Sequence, residues 1–474
     1  MEFPVLSDLR KLDRSPRRFL FFAGTSVINY QCVVGSILVL FARHIGMPAS
    51  LVGWLLSFNA LAQLLVFVTV PIVDRFGPKR VLVAGWFIRS FFALPVLTIP
   101  LVLRSHHPEW AWGVLLMTML CFRCVQGLAV GGWFPLLHQI IPERQRGAYF
   151  SAETGIVQFA NIGASVLLAV LLGHQASLGN YMVIYMIGIA AGFASVYMLS
   201  RVSAGRESEI EVPQTRGWNA YRRALSDASF VRYALFASLC LFVATWINAA
   251  LLLYLRDQLH LPSRSIMLLV AGASLAVAFT IRSWGRFSED HGAPQGMFLT
   301  LGGFGCVCLG WLLLWPNAPW TDRMVAVAMI FGASFFAAFW AFAQRFMLSL
   351  VKTEGRVGYT NIWIVCTSVA IGIPPILVGQ VIENWGLWGF RLCFLISGIG
   401  SLACAAGCLT LPAEAKPHLR YLTVLLRPST PARTLGRIAW ITLGRHIPPP
   451  STQDEKPAPE EELGERAIES SEKS

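Results

Sequence analysis

Arg123 interrupts an apolar run, Met117-Thr118-Met119-Leu120-Cys121-Phe122-Arg123-Cys124-Val125-Gln126-Gly127. A guanidinium held near the middle of a bilayer costs about 2.5–3.5 kcal/mol even on the milder insertion scales, so such a residue is functional by default. Arginine does not itself release a proton. Its chemistry is to tune an acid that approaches it, to compete for that acid, or to suit an anion. Gln126, three residues on, shares its helix face and can orient it. The structural alternative is an arginine that ties helices together through backbone carbonyls. Glu153 is the nearest candidate carboxylate, roughly 9 Å below one membrane edge at ~1.5 Å per residue. It suits a gate salt bridge or a proton carrier, and Arg123 sits too deep to pair with it directly. Arg89, inside another apolar run, reads as a structural bond.

A second group lies between apolar runs, in Val70-Pro71-Ile72-Val73-Asp74-Arg75-Phe76-Gly77-Pro78-Lys79-Arg80. A carboxylate at a tight turn can sit at the positive N-terminus of a neighbouring helix and hold a gate shut. Gly77 permits the turn, and Arg75 and Lys79 can pair with headgroups or acids. The plainer reading is an ordinary basic loop. Gly285-x-x-x-Glu289-Asp290-His291-Gly292 is a degenerate second copy. The ten cysteines all lie in apolar runs, where they behave as small hydrophobes. Cys121 and Cys124 have metal-ligand spacing, but no second pair or histidine cluster accompanies them. No metal or cofactor is expected. No glycine-rich nucleotide loop and no covalent catalytic triad occurs, so neither ATP-driven transport nor an enzyme is expected.

The elements that must position these groups are membrane helices. The 474 residues are 55% hydrophobic and 14% charged, with a mean hydropathy of +0.58. Soluble chains run nearer 25% charged, and most apolar runs here approach the ~20 residues that cross a bilayer. Spans are predicted near 19–42, 50–73, 81–103, 111–137, 147–173 and 180–200, then 230–256, 264–283, 295–315, 324–350, 357–381 and 387–411. The net charge of +12 is scattered in short clusters between spans, not gathered on one face, which argues against nucleic acid. With both termini inside, and even without the tail, twenty Lys/Arg fall in inner segments and five in outer ones, namely Arg43, Arg104, Arg256, Arg264 and Arg323. The first span follows a basic N-terminus without a small-residue cleavage site and is expected to be retained.

The halves repeat. LVLFARHIGMP ending at Pro48 resembles LLLYLRDQLHLP ending at Pro262, Asp74 falls opposite Glu289, and Arg146 in RGAYFS opposite Arg356 in RVGYTN. The offsets agree within a few residues, and six-plus-six duplication is how many secondary transporters are built. The expected organisation is an N-terminal six-helix half (1–200), a cytoplasmic linker (201–229), a C-terminal half (230–412) and a cytoplasmic tail (413–474). The tail begins basic and amphipathic, suited to an anionic lipid surface. From Ile447 it is proline-rich and acidic, and disorder is expected there.

The Asp74 loop resembles a signature of the major facilitator superfamily, Gly-x-x-x-Asp-Arg/Lys-x-Gly-Arg/Lys-Lys/Arg. Asp74, Arg75, Gly77 and Lys79 match; Val70 and Pro78 depart from it. The Arg123 segment is similar to a second signature, Arg-x-x-Gln-Gly-x-x-Ala, matching at Arg123, Gln126 and Gly127, with Val130 in place of the alanine. The resemblance covers residues 19–412. It implies an all-α membrane protein with twelve transmembrane helices in two pseudo-symmetric six-helix bundles. At Arg123 it implies proton coupling or binding of an anionic group. It also implies a cavity lined by spans one, four, seven and ten, which offer Asn29, Tyr30, Gln31, Trp246, Asn248, Trp340, Gln344 and Arg345. Not all of these can face inward, since adjacent residues are ~100° apart, and the tryptophans suit packing equally well. Flat aromatics with amides suit a sugar or amphipathic solute; Arg123 suits an anion. No Gly-Pro pair marks the fifth span, as in the family's drug antiporters, and no Pro-Glu-Ser-Pro-Arg run follows the sixth, as in its sugar porters.

The expected function is alternating-access transport of a small organic solute coupled to protons, by a monomer in the inner cell membrane. The rival expectation is a non-transporting membrane sensor or assembly partner of the same fold. Retention of Asp74 and Arg123 favours transport, because a scaffold has no need of a charge at mid-membrane.

Overall fold

The computed structural model describes residues 13–104, 107–141, 146–202, 218–314, 321–351 and 356–411. The tail from 412 and most of the linker lie outside the described residues. Among the described residues every regular element is a helix. Backbone polar groups cannot be left unpaired in hydrocarbon, and helices pair them internally. Eleven helical segments are long and apolar enough to cross a membrane, from Arg14–His44 to Leu387–Cys408. The twelfth crossing is the second in order and is broken. It runs as Ala49–Leu61, a 3-10 turn Ala62–Leu65, and Val66–Phe76 around Pro71.

Prolines and glycines set the interruptions. Gly77 holds φ at +82°, a conformation open to glycine, and Pro78 then starts the third span with a missing N–H that no helix needs there. Pro95 and Pro100 convert the end of that span to 3-10 and short α turns. Gly292, 215 residues after Gly77, repeats its backbone: φ 82 and ψ 147 at the first, φ 84 and ψ 161 at the second. The duplication therefore extends to backbone angles at the two motif turns.

The halves meet along two related seams, the second span on the eleventh (Arg356–Trp385) and the fifth (Arg146–Leu172) on the eighth (Ser263–His291). Small residues let the first seam close. A Cβ on Gly53 would stand 2.3 Å from the Pro375 carbonyl oxygen, and one on Gly379 2.5 Å from that of Ala49. Without a hydrophobic drive between helices in lipid, such backbone approach supplies the packing energy. Large apolar side chains, among them Phe87, Phe91, Phe159 and Phe279, point outward, as a lipid-facing belt requires.

Three boundaries differ from the sequence expectation. The second span is not continuous. The fourth, Pro108–Val130, ends before a separate helix Trp133–Ile140, because Gly131 and Gly132 pack closely on Thr69 and on the Pro78 carbonyl. Residues 201–229, expected to be a polar stretch, contain a helix at Trp218–Ser226. It packs on the seventh and eleventh spans, with Ala224 fully buried and Arg222 and Arg223 exposed, and Tyr221 accepts a 2.9 Å hydrogen bond from Asn361. Its apolar stripe is too short to register among the charges around it.

Candidate functional site

Two arginines are 98% buried inside the N-terminal half. Arg89, on the third span, donates from Nη2 to Asn29 Oδ1 at 2.9 Å and to Ser26 Oγ at 3.3 Å. Its guanidinium lies 4.5 Å from the Trp86 ring centroid and 5.1 Å from that of Phe122. Asn29 in turn donates to the Gly188 carbonyl at 2.7 Å. Span six approaches this node closely because it presents glycines: a Cβ on Gly192 would stand 2.8 Å from both Asn29 Nδ2 and Ser90 Oγ. Asn29 is thus wholly buried in a helix interface and lines no cavity in this conformation. The helical step of ~100° sends it away from its exposed neighbour Tyr30.

Arg123, on the fourth span, donates from Nη1 to Gln126 Oε1 at 2.8 Å. The Tyr30 ring lies 5.2 Å from its guanidinium and Phe122 5.9 Å. Neither arginine has a carboxylate within 4 Å among the described residues. Arg89 keeps one buried donor nitrogen without an acceptor, Nε; Arg123 keeps two, Nε and Nη2. Hydrogen bonds to charged groups contribute about 1.5–3 kcal/mol and cation–π contacts about 0.5–2 kcal/mol. Two bonds and two close rings offset much of the burial cost of Arg89. One bond and two more distant rings leave Arg123 the less compensated cation. Arg89 is therefore the better compensated of the two buried cations.

Gly127 brings Arg123 to its place. A Cβ there would stand 2.1 Å from the Ala62 carbonyl oxygen. The fourth span is thereby set against the 3-10 turn of the second, and only glycine fits. Gln31 donates to Asn161 at 2.9 Å, tying the first span to the fifth. Glu153 is half-buried on the fifth span and forms no salt bridge with Arg123 or any other described residue.

The remaining candidates are dispersed. Arg75 is exposed, Lys79 half-buried, and the Asp74, Glu289 and Asp290 side chains lie outside the described residues. In the other half, Trp246 is 8% exposed with its indole N–H unpartnered, Trp340 packs on Trp363 at 6.5 Å between centroids, and Asn248, Gln344 and Arg345 are exposed. Trp133 joins Phe19, Phe22 and Trp86 in an aromatic cluster and is a packing residue. The structure unites Tyr30, Arg123 and Gln126. Among the described residues it brings none of Trp246, Asn248, Trp340, Gln344 and Arg345 against them.

A set of residues that sequence reasoning missed joins the halves at one end. Arg43, closing the first span, meets Asp257, closing the seventh, side-on: Nε to Oδ1 at 3.2 Å and Nη2 to Oδ2 at 3.0 Å. Beside it Arg256 donates to Ser263 at 2.9 Å, and Tyr181 and Ser263 share a 3.2 Å bond. The Ser50 N–H donates to Glu383 at 2.9 Å, and Arg264 and His174 are 3.0 Å apart. Together these four contacts, Arg43–Asp257, Tyr181–Ser263, Ser50–Glu383 and Arg264–His174, join the halves at this end. The signal was present, since Arg43 and Asp257 occupy matched positions 214 apart in the two repeats, with opposite charges.

A family model described as Major Facilitator Superfamily matches residues 19–247 and 234–443. Among solved structures the chain is similar to the nucleoside transporter NupG, at TM-score 0.62 and 14% identity, over 87% of this chain and 99% of that one. It is similar to a D-xylose–proton symporter at 0.65 and 13%, over 85% and 99%. It is also similar to the xylose transporter XylE from E. coli in an inward-open conformation, at 0.61 and 14%, over 86% and 98%. At these identities the likeness concerns the fold. No curated protein matches the sequence.

Proposed function

Because the chain belongs to the major facilitator superfamily and is a multi-pass membrane transporter, we propose that it is a secondary active carrier of a small organic solute, coupled to protons. The observation that carries this reading is the asymmetry of the junction. The two halves are bonded together at the Arg43–Asp257 end, and the segment Val66–Phe76 packs on the third and fourth spans rather than on the eleventh. Two bundles latched at one end can exchange that closure for one at the other by rocking about a site between them, as alternating access requires.

The positive-inside distribution supports placing the latched end outside the cell and both termini in the cytoplasm. On this reading the Asp74 turn is the cytoplasmic gate. The Asp74 carboxylate would cap the start of the eleventh span near Arg356–Tyr359 once the protein turns outward. At that helix start Tyr359 donates to Asp227 at 3.1 Å. The quasi-symmetric pair, Glu289 or Asp290 against the start of the fifth span, has the lesser part. A xylose–proton symporter among the structural neighbours lends support to proton coupling.

The test is reconstitution into proteoliposomes. A solute found by thermal stabilisation of the purified protein should accumulate when a pH gradient is imposed and exchange in counterflow without one. Counterflow without gradient-driven accumulation removes proton coupling and leaves the carrier reading. A chain whose two ends never exchange accessibility is a sensor or assembly partner.

A further inference from the structure

The helix Trp218–Ser226 packs on the flanks of the seventh and eleventh spans. It lies at the end opposite the Arg43–Asp257 contact, since the seventh span starts beside it and finishes at Asp257. Its two faces differ in kind. Tyr221 and Ala224, three residues apart, turn to the bundle, and Arg222 and Leu225, also three apart, turn away. Leu225 is 60% exposed, so an apolar side chain stands on the same outward face as a guanidinium. Arg223 adds a further exposed cation. The start of the seventh span continues the pattern. Arg232, Leu235 and Leu239 fall at i, i+3 and i+7 on one exposed face, with the arginine nearer the helix end than the two leucines. Neither Arg222 nor Arg232 has a hydrogen bond or ion pair among the described residues. Asp227, the carboxylate between them in the chain, is committed at both oxygens: Oδ1 accepts the Phe230 N–H at 3.3 Å and Oδ2 the Tyr359 hydroxyl at 3.1 Å. Leucine and arginine on one outward face suit the boundary between acyl chains and headgroups, where the leucine is buried and the long basic chain reaches phosphate.

We propose that this surface binds the headgroup of an anionic phospholipid, with Arg222 and Arg232 as the phosphate contacts and Leu225 beside the acyl chains. Charge selects the occupant. A zwitterionic lipid carries its own cation beside the phosphate, whereas an anionic headgroup leaves a net negative charge for the two arginines. The exposed leucines favour a lipid over a soluble acidic segment, which would leave them in water. The bound lipid reaches the rest of the protein through two hydrogen bonds. Asn361 donates to Tyr221 at 2.9 Å and Tyr359 donates to Asp227, so the start of the eleventh span is tied to the linker helix and to the cap of the seventh. Fixing the linker helix on the membrane surface therefore fixes the helix start that the Asp74 carboxylate would cap. That last step rests on the carrier reading; the lipid site does not.

The experiment is amide hydrogen exchange, read by mass spectrometry, on the full-length protein in nanodiscs of phosphatidylcholine with increasing fractions of phosphatidylglycerol. Phosphatidylglycerol should slow exchange in segment 218–226 and, through the two bonds, in 356–361. Arg222→Gln and Arg232→Gln should each raise the fraction needed for half-maximal protection about five-fold, as loss of one basic residue near an anionic surface does. Arg323→Gln, which removes an exposed charge where the tenth span begins, should leave it unchanged. Tyr221→Phe should keep the protection of 218–226 and lose part of that at 356–361. Equal exchange with and without phosphatidylglycerol, as docking of the chain's own acidic tail would give, overturns the site. A midpoint raised as much by Arg323→Gln as by Arg222→Gln reports net charge alone and also overturns it. Inorganic phosphate added to phosphatidylcholine discs should not reproduce the protection; if it does, the surface takes free phosphate and the lipid assignment falls. Protection confined to 218–226 in the wild type overturns the link to the eleventh span. None of these readouts uses transport, so a failure of counterflow would remove the carrier reading and leave the lipid site standing.

Discussion

Replacing Asp257 by Asn keeps the shape of the side chain and removes the charge that joins the two halves. The bond it breaks is bidentate, at 3.2 and 3.0 Å, between side chains 26% and 19% exposed. Two unit charges ~4 Å apart at an effective dielectric near 20 attract by about 4 kcal/mol. Fully exposed pairs deliver only about 0.2–1 kcal/mol, after screening and side-chain entropy. With both partners largely but not wholly buried, a net of about 1.5 kcal/mol is expected, less at high salt. Arg43 also donates to the Met47 carbonyl at 2.7 Å, so it stays in place and the loss is confined to the pair. The closed end should then open about ten-fold more often, since ~1.4 kcal/mol is a factor of ten. The assay is pulsed-EPR distance measurement between labels at the end of the first span and the start of the eighth, in a background without the ten native cysteines. A longer distance should gain population in Asp257→Asn and in Arg43→Gln. The double variant should add little to either single one, and the exchange Arg43→Asp with Asp257→Arg should restore much of the short distance. Populations unchanged within a factor of two, at low and high salt alike, would refute the latch.

Other perturbations follow from the packing. Gly53→Ala places a methyl 2.3 Å from the Pro375 carbonyl oxygen; the closed end should lose about 1–3 kcal/mol and open, seen as raised cysteine labelling from the Arg43 side. Asn29→Ala removes the 2.9 Å acceptor of Arg89 inside a fully buried interface. It should lower the stability of the N-terminal half by about 1–3 kcal/mol, measured as a drop in melting temperature. Asp74→Asn should bias the protein inward and depress transport with expression unchanged; accessibility from both ends equal to wild type would count against the gate role.

Membrane residence, helix count and the two-half plan were legible in the sequence because they depend on quantities that are local or periodic. Apolar runs report crossings, and the match of LVLFARHIGMP to LLLYLRDQLHLP reports duplication. The buried cost of a charge singles out Arg123 without any coordinates. What the sequence could not decide is which side chains meet. Asn29 and Tyr30 are neighbours in the chain, yet the helical step sends one to a buried glycine seam beside Arg89 and leaves the other over Arg123. The break in the second span at Ala62–Leu65 has no local signal, because its partner is Gly127 on another span. The Arg43–Asp257 pair was visible as two charges at matched positions, but residues 214 apart become neighbours only when two bundles dock about their common axis. Periodicity fixes what each helix presents; docking decides what it is presented to.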